Sequence, residues 1–204
     1  MSSRPARRGP YAKGVARREE ALVVALEVLA TNGLRHSTLQ DIATRVGLTR
    51  AGLLHYFGSR EELLVAVLRA RYERDAEESR GRVVPGQTLA ERVVTEVLRQ
   101  HRSPGLVRLD VAMAAEATDR THPARDYFLE RSRHLEQTYV SGITREIEAG
   151  RMDARIDPLI AARQVNALID GLHVHWLIDP SLDVRAVLTD GLRRILPTAP
   201  HRAG

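Results

Sequence analysis

Two stretches of this chain hold residues whose types and spacing could do chemistry. In the first, Arg50, Ala51, Gly52, His55 and Tyr56 fall on the outward face of a short helical pattern. That face joins a cation and hydrogen-bonding rings to small residues that permit close approach, which suits a helix lying in the major groove of DNA. In the second, Asp170, His173, His175 and Trp176 sit within one helical pattern. Asp170 and His173 stand three apart and share a face, but His173 and His175 do not, so the set is poorly placed to grip one metal ion. These read as interface or pocket groups. No Gly-rich phosphate loop, G-x-S-x-G elbow, H-E-x-x-H pair or paired-carboxylate geometry stands out. The chain has no Cys, which removes thiolate nucleophiles, thiolate metal sites and disulfides. No catalytic residue, metal or cofactor is expected, and the chain is not expected to be an enzyme.

The first stretch is positioned by residues 37 to 62, which read as two short helices joined by a tight turn. Ser37 or Thr38 is the expected N-cap, with Gln40 completing a capping box from Ser37, and Leu39, Ile42, Ala43 and Val46 form the apolar face. Gly47 supplies the left-handed conformation that stops this helix. Thr49 then caps the second helix, whose inward residues are Leu53 and Phe57. Ser59 to Glu62 forms an S-x-x-E capping box for a long helix carrying Leu63, Leu64, Val67, Leu68 and Tyr72, a lever between this module and the rest of the chain.

The run T-L-Q-D-I-A-T-R-V-G-L-T-R-A-G-L-L-H-Y-F-G-S-R-E-E-L-L resembles the helix-turn-helix of the tetracycline-repressor-like (TetR) transcriptional regulators, and the likeness covers roughly residues 15 to 68. Carried over by position, the resemblance implies that Gln40, Arg50, Ala51, Gly52 and His55 read bases. It likewise implies that Thr38, Thr49, Tyr56 and Arg60 hold phosphates. Leu54 stands where the family often has Tyr, so one backbone hydrogen bond of the family is not expected here. The function implied is a repressor that binds a pseudo-palindromic operator in double-stranded DNA as a homodimer and is released by a small-molecule effector. An effector-independent architectural DNA binder and an enzyme carrying a DNA-binding module are the alternative readings.

Charge is distributed in keeping with this. The formal net charge is +5, yet residues 1 to 60 carry ten basic against four acidic side chains, a local +6, and the remainder is near neutral at −1. A basic module at one end of a neutral body fits a polyanion at that end only. Residues 1 to 14 mix Arg with Ser, Pro and Gly and are expected to be a flexible basic arm, with the DNA-binding domain over 15 to 60 and an effector-binding and dimerisation domain over 61 to 204. With 43% apolar residues the chain can bury a real core. No apolar run approaches membrane-spanning length and no signal-peptide core follows the basic N-terminus, so a cytoplasmic protein without membrane contact is expected.

The body reads as all-α. Helices are expected from Val15 to Asn32, from Thr88 with Glu91 as its capping box, from Leu106 to about Ala117, from about Pro123 to Ala149, from Asp157-Pro158 to about Ile178, and from about Asp183 to Leu196. The resemblance implies that the final pair forms a four-helix bundle with its twin, with Val165, Leu168, Leu172, Val184, Leu188, Leu192 and Ile195 at the interface. It also implies a small-molecule pocket among the central helices, for which Met113, Glu116, Tyr127, His134, Asn166, Asp170 and Trp176 are the candidates.

Overall fold

The computed structural model describes residues 10–81, 84 and 86–199. Nine α-helices follow one another among these residues: α1 (Pro10–Asn32), α2 (Leu39–Val46), α3 (Arg50–Phe57), α4 (Arg60–Gly81), α5 (Leu89–Gln100), α6 (Pro104–Glu116), α7 (Arg125–Glu148), α8 (Pro158–Ile178) and α9 (Val184–Ile195). A 3-10 turn over Leu34–His36 leads into α2. The described residues contain no strand; a single antiparallel bridge, Met152 to Thr198, ties the chain after α9 to the α7–α8 linker. The all-α expectation holds.

Local chemistry sets the helix ends. Thr88 caps α5 in a reciprocal box with Glu91, and Asp157 accepts from the amides of Leu159 and Ile160 ahead of Pro158 at the first position of α8. In both, side-chain oxygens satisfy amides that have no partner within the helix. Two local readings need correction. The box at α2 is Thr38 with Asp41, not Ser37 with Gln40, because Ser37 is buried and donates its hydroxyl to the Gly33 carbonyl at 2.7 Å. In addition α1 starts at Pro10, inside the stretch expected as a flexible arm, since Pro lacks the N–H that a first-turn residue could not have paired. The arm's residues 1–9 lie outside the described residues.

Two apolar cores result. The first joins α1, α2 and α3 to α4, to α6 through Leu106, Leu109 and Met113, and to Tyr127 at the start of α7. The three-helix head therefore shares its core with α4, α6 and the start of α7. The second core lies among α5, α7, α8 and α9. It includes Val165, Leu172, Val184, Leu188 and Leu192, none more than 5% exposed, while Leu168 and Ile195 pack against it half-buried. Five of the seven residues expected at a subunit interface are thus buried within the protomer. Their apolar stripes face each other and α5 within one protomer. The outer face of α8 carries instead Ile160, Ala167, Val174 and Ile178, exposed in the protomer, with half-buried Gly171 in the same stripe.

One contact binds head to body at backbone distance. A β-carbon added at Gly105, in the first turn of α6, would collide with the carbonyls of Leu29 and Ala30 near the end of α1. Only glycine permits that approach.

Candidate nucleic-acid interface and body cleft

The head is built by contacts of short sequence range. The Thr38 hydroxyl accepts from the Asp41 amide at 3.1 Å, and the Asp41 carboxylate accepts from the Thr38 amide at 2.8 Å. The Thr38 amide, and after it the Thr38 hydroxyl donating to Asp41 Oδ2 at 2.7 Å, hold the Asp41 carboxyl below its ordinary range. Gly47 takes the left-handed conformation at φ 72°, as its place in the turn requires. Thr49 caps α3 by accepting from the Gly52 amide at 3.0 Å. Sequence reasoning missed a further brace. Arg17 of α1 donates to the Val46 and Gly47 carbonyls, setting a guanidinium on the negative end of α2. Arg18 lies over the Phe57 ring at 4.8 Å. Both α1 cations thus fix the angle at which α3 leaves the turn.

The expected DNA residues fall on this head as follows. Leu53 and Phe57 are buried inward, and Arg50, Ala51 and His55 are exposed on α3. Gly52 is half-buried, where its lack of a side chain lets the Thr49 hydroxyl close the cap. Tyr56 is half-buried, edge-on to His55 with ring centres 5.9 Å apart. Thr38, Gln40, Arg50 and Arg60 converge on one groove, of about 370 Å³, with Leu34, Ser37 and Leu39 as its floor. Three helix beginnings, those of α2, α3 and α4, meet there. Their unpaired amides and two guanidiniums make the groove attractive to phosphate oxygens. Arg60 approaches Glu61 at 3.7 Å across exposed surface, an interaction too weak to withhold it from DNA.

A second cleft, of about 200 Å³, opens in the body among α6, α7 and α8. Its lining includes Asp110, Phe128, Arg131, Asn166, Asp170 and His173. Of the seven pocket residues expected, Asn166 and Asp170 are here and the other five are not. Met113 and Tyr127 are buried in the first core, Glu116 is exposed and meets His122 at 3.3 Å, and exposed His134 stands edge-on to Tyr72. Trp176 stacks on His101 with ring centres 4.0 Å apart. Sequence reasoning missed Asp110 and Arg131, which lie on different helices and meet only in the fold. It did mark the shared face of Asp170 and His173, and both indeed reach the cleft.

The electrostatics of the cleft are unusual. Arg131 forks onto both oxygens of Asp110, the second contact at 3.0 Å. Burial pushes the Asp170 carboxyl up, with nearby Arg131 opposing. His173 is 3% exposed, and burial takes its imidazole down to about 4, so it is neutral. Its Nε2, like that of His101, is buried and finds no hydrogen-bond partner among the described residues. Behind the cleft Arg71 and Asp75 of α4 are buried together at 3.5 Å, and Arg99 of α5 reaches Asp75 at 2.9 Å. No group of three or more potential metal ligands occurs among the described residues.

Comparison with known proteins places this geometry. Residues 21–67 match the model of bacterial regulatory proteins of the tetR family, and residues 86–197 match that of the C-terminal part of BetI-type transcriptional repressors. The repressor KstR2 of Mycobacterium tuberculosis H37Rv is 28% identical over 151 residues, covering 70% of this chain and 73% of its own. The regulator BetI of Rhizobium meliloti is 27% identical over 181 residues, covering 85% of this chain and 86% of its own. A regulator from Saccharomonospora viridis, crystallised in complex with choline, shares the fold with a TM-score of 0.68 at 22% identity, covering 88% of this chain and 95% of that one. With its head and its body each matched by a family model, the chain belongs to the tetR family, the DNA-binding transcriptional regulators of the helix-turn-helix type.

Proposed function

We propose that this regulator is a repressor, not an enzyme, acting in the cytoplasm as a homodimer on a pseudo-palindromic operator and released when a small molecule enters the cleft among α6, α7 and α8. The observation that carries the release is the course of α6. Its first turn lies backbone to backbone on α1 at Gly105, and its middle supplies Asp110, Val111 and Ala114 to the cleft wall. A ligand that shifts α6 therefore shifts the helix whose cations brace α2 and α3. The long helix α4 runs parallel to this route, from Arg60 at the groove to Arg71 beside the Asp110 charge. An effector need favour the displaced state by only a few kcal/mol to empty the operator, and operator must weaken effector binding by the same factor.

The relative named a repressor supports repression, and the choline-bound regulator of like fold supports a small-molecule effector. For the dimer, the outer stripe of α8 is the surface we assign, with Ile178 at 75% exposure at its end. We assign base reading to Gln40, Arg50, Ala51, Gly52 and His55, and phosphate contacts to Thr38, Thr49, Tyr56 and Arg60. Fluorescence anisotropy on a selected operator tests the division. Arg50→Ala should cost about 1 to 3 kcal/mol and relax sequence preference, whereas Arg60→Ala should weaken all sequences alike and lower the salt slope by about 1. Equal losses with unchanged preference would end the division of roles. Operator affinity indifferent to every ligand that binds the body would favour an architectural DNA binder instead.

A further inference from the structure

The turn between α2 and α3 leaves two carbonyls that its own backbone does not satisfy. The Leu48 and Gly47 amides donate to the Ala43 and Thr44 carbonyls at 2.8 and 3.1 Å, which closes the last turn of α2. The Val46 and Gly47 carbonyls that follow have one donor among the described residues, Nη2 of Arg17 in α1, at 2.5 and 3.4 Å. Nη1 of the same guanidinium donates to the Glu20 carboxylate at 2.5 Å. Gly47 leaves room for this approach, since a β-carbon there would already stand 3.4 Å from Nη2. Arg17 consequently has little left for DNA. Both two-point forks of a guanidinium, end-on and side-on, need an N–H of Nη2, and here Nη2 is committed to two carbonyls.

We propose, resting on the assignment of base reading to α3, that Arg17 is a positioning residue for sequence recognition. It makes no contact with DNA, and by tying the Val46 and Gly47 carbonyls to α1 it sets the tilt at which Arg50 and His55 meet base edges. α3 is eight residues long and buries only Leu53 and Phe57, so its direction depends on what holds its two ends. Arg18 covers the Phe57 ring at the far end, and Arg17 grips the turn at the near end. Hydrogen bonds to base edges weaken steeply with errors of angle, whereas the attraction of a cationic surface to a polyanion survives them. Removing Arg17 therefore takes away operator affinity and spares sequence-independent binding.

Anisotropy titrations of the full-length protein on a selected operator and on a scrambled duplex of equal length, across a salt series, test this. Arg17→Met keeps an unbranched stem without donors. It should lose about tenfold on the operator and less than about twofold on the scrambled duplex, with both salt slopes unchanged. Arg17→Lys still donates to the carbonyls and should recover most of the loss. A phosphate contact gives another pattern, equal loss on both duplexes and a slope lower by about 1. In the wild type with labelled arginine, the guanidinium resonances of Arg17 should keep their positions when operator is added, while those of Arg60 move. Equal loss on both duplexes, a lowered slope, undiminished operator affinity in Arg17→Met, no recovery in Arg17→Lys, or Arg17 resonances that move with those of Arg60 would each overturn the role. Arg50→Ala, measured alongside, separates this role from base reading. If Arg50→Ala keeps sequence preference while Arg17→Met loses the operator alone, Arg50 is removed as a reader and Arg17 keeps its role. If Arg50→Ala relaxes preference while Arg17→Met binds as the wild type does, the reverse holds.

Discussion

The head and the body of this molecule differ in how far along the chain their ionic groups find partners. In the head each cap closes within three residues, as Thr38 with Asp41, Thr49 with Gly52 and Ser59 with Glu62, and the inward face is apolar apart from Ser37. The body has local caps and ion pairs as well, such as Thr88 with Glu91 and Arg71 with Asp75, but it adds ionic contacts between distant segments: Arg99 to Asp75 across 24 residues and Arg131 to Asp110 across 21. Two imidazole nitrogens there have no partner at all among the described residues. The difference follows from what each part must meet. DNA is a stiff polyanion of fixed geometry, so the surface that meets it gains from being built in advance by contacts that form independently of the rest. On the release reading proposed above, the body must instead shift when a ligand enters, and it carries buried polar groups without partners among the described residues.

The largest effect that sharpens this comparison comes from charging the body's core. Leu188 is fully buried within the protomer, so Leu188→Glu should unfold the body, an unpaired buried carboxylate costing several kcal/mol. Ile178→Glu, at a position 75% exposed, should leave the melting temperature nearly unchanged and raise the monomer fraction in sedimentation velocity. A folded, monomeric Leu188→Glu protein would return that residue to the subunit interface.

A smaller effect concerns pH. Burial, and after it the neighbouring His101, Arg71 and Arg131 charges, depress His173, with Asp110 opposing them. Its folded pKa of about 4 lies below the ordinary 6.5, so between these values the unfolded chain binds a proton that the folded chain does not. Stability should therefore be complete above pH 6.5 and fall as pH drops toward 4, by at most about 2 to 3 kcal/mol from this group. His101, depressed by burial and by Arg71, adds a loss of the same sign. Urea denaturation of His173→Leu across this range should show a flatter profile; a profile as steep as the wild type's would mean that His173 is not the group responsible.

The smallest effect belongs to the head. Thr38→Ala removes one side of the α2 box and should cost about 1 kcal/mol, with the body's pH dependence untouched. A loss several times larger, or one that altered the pH profile, would show that the head's caps are coupled to the body and would undo the contrast.

Much of the architecture was legible from residue order, because its determinants act over a few residues. Gly47, Thr49, Thr88 with Glu91, and Asp157 with Pro158 mark turns and helix starts that the structure contains, and the stripe of Leu39, Ile42, Ala43 and Val46 predicts the face that is buried. The box at α2 was misplaced by one residue because Ser37 and Thr38 are equally able to cap. Only the turn after Gly33 turns Ser37 inward. Apolar periodicity determined that Val165, Leu172, Leu188 and Leu192 are buried, but a period of 3.6 residues is the same whether the facing helix belongs to the same protomer or to another. The cleft was decided by tertiary structure alone. Asp110, Arg131 and Asp170 lie on three helices separated by loops, and neither the pairing of the first two nor the free carboxylate of the third has any local sequence cause. Short-range hydrogen bonds write the head into the sequence, whereas the long-range balance of buried charge that shapes the body exists only once the helices have packed.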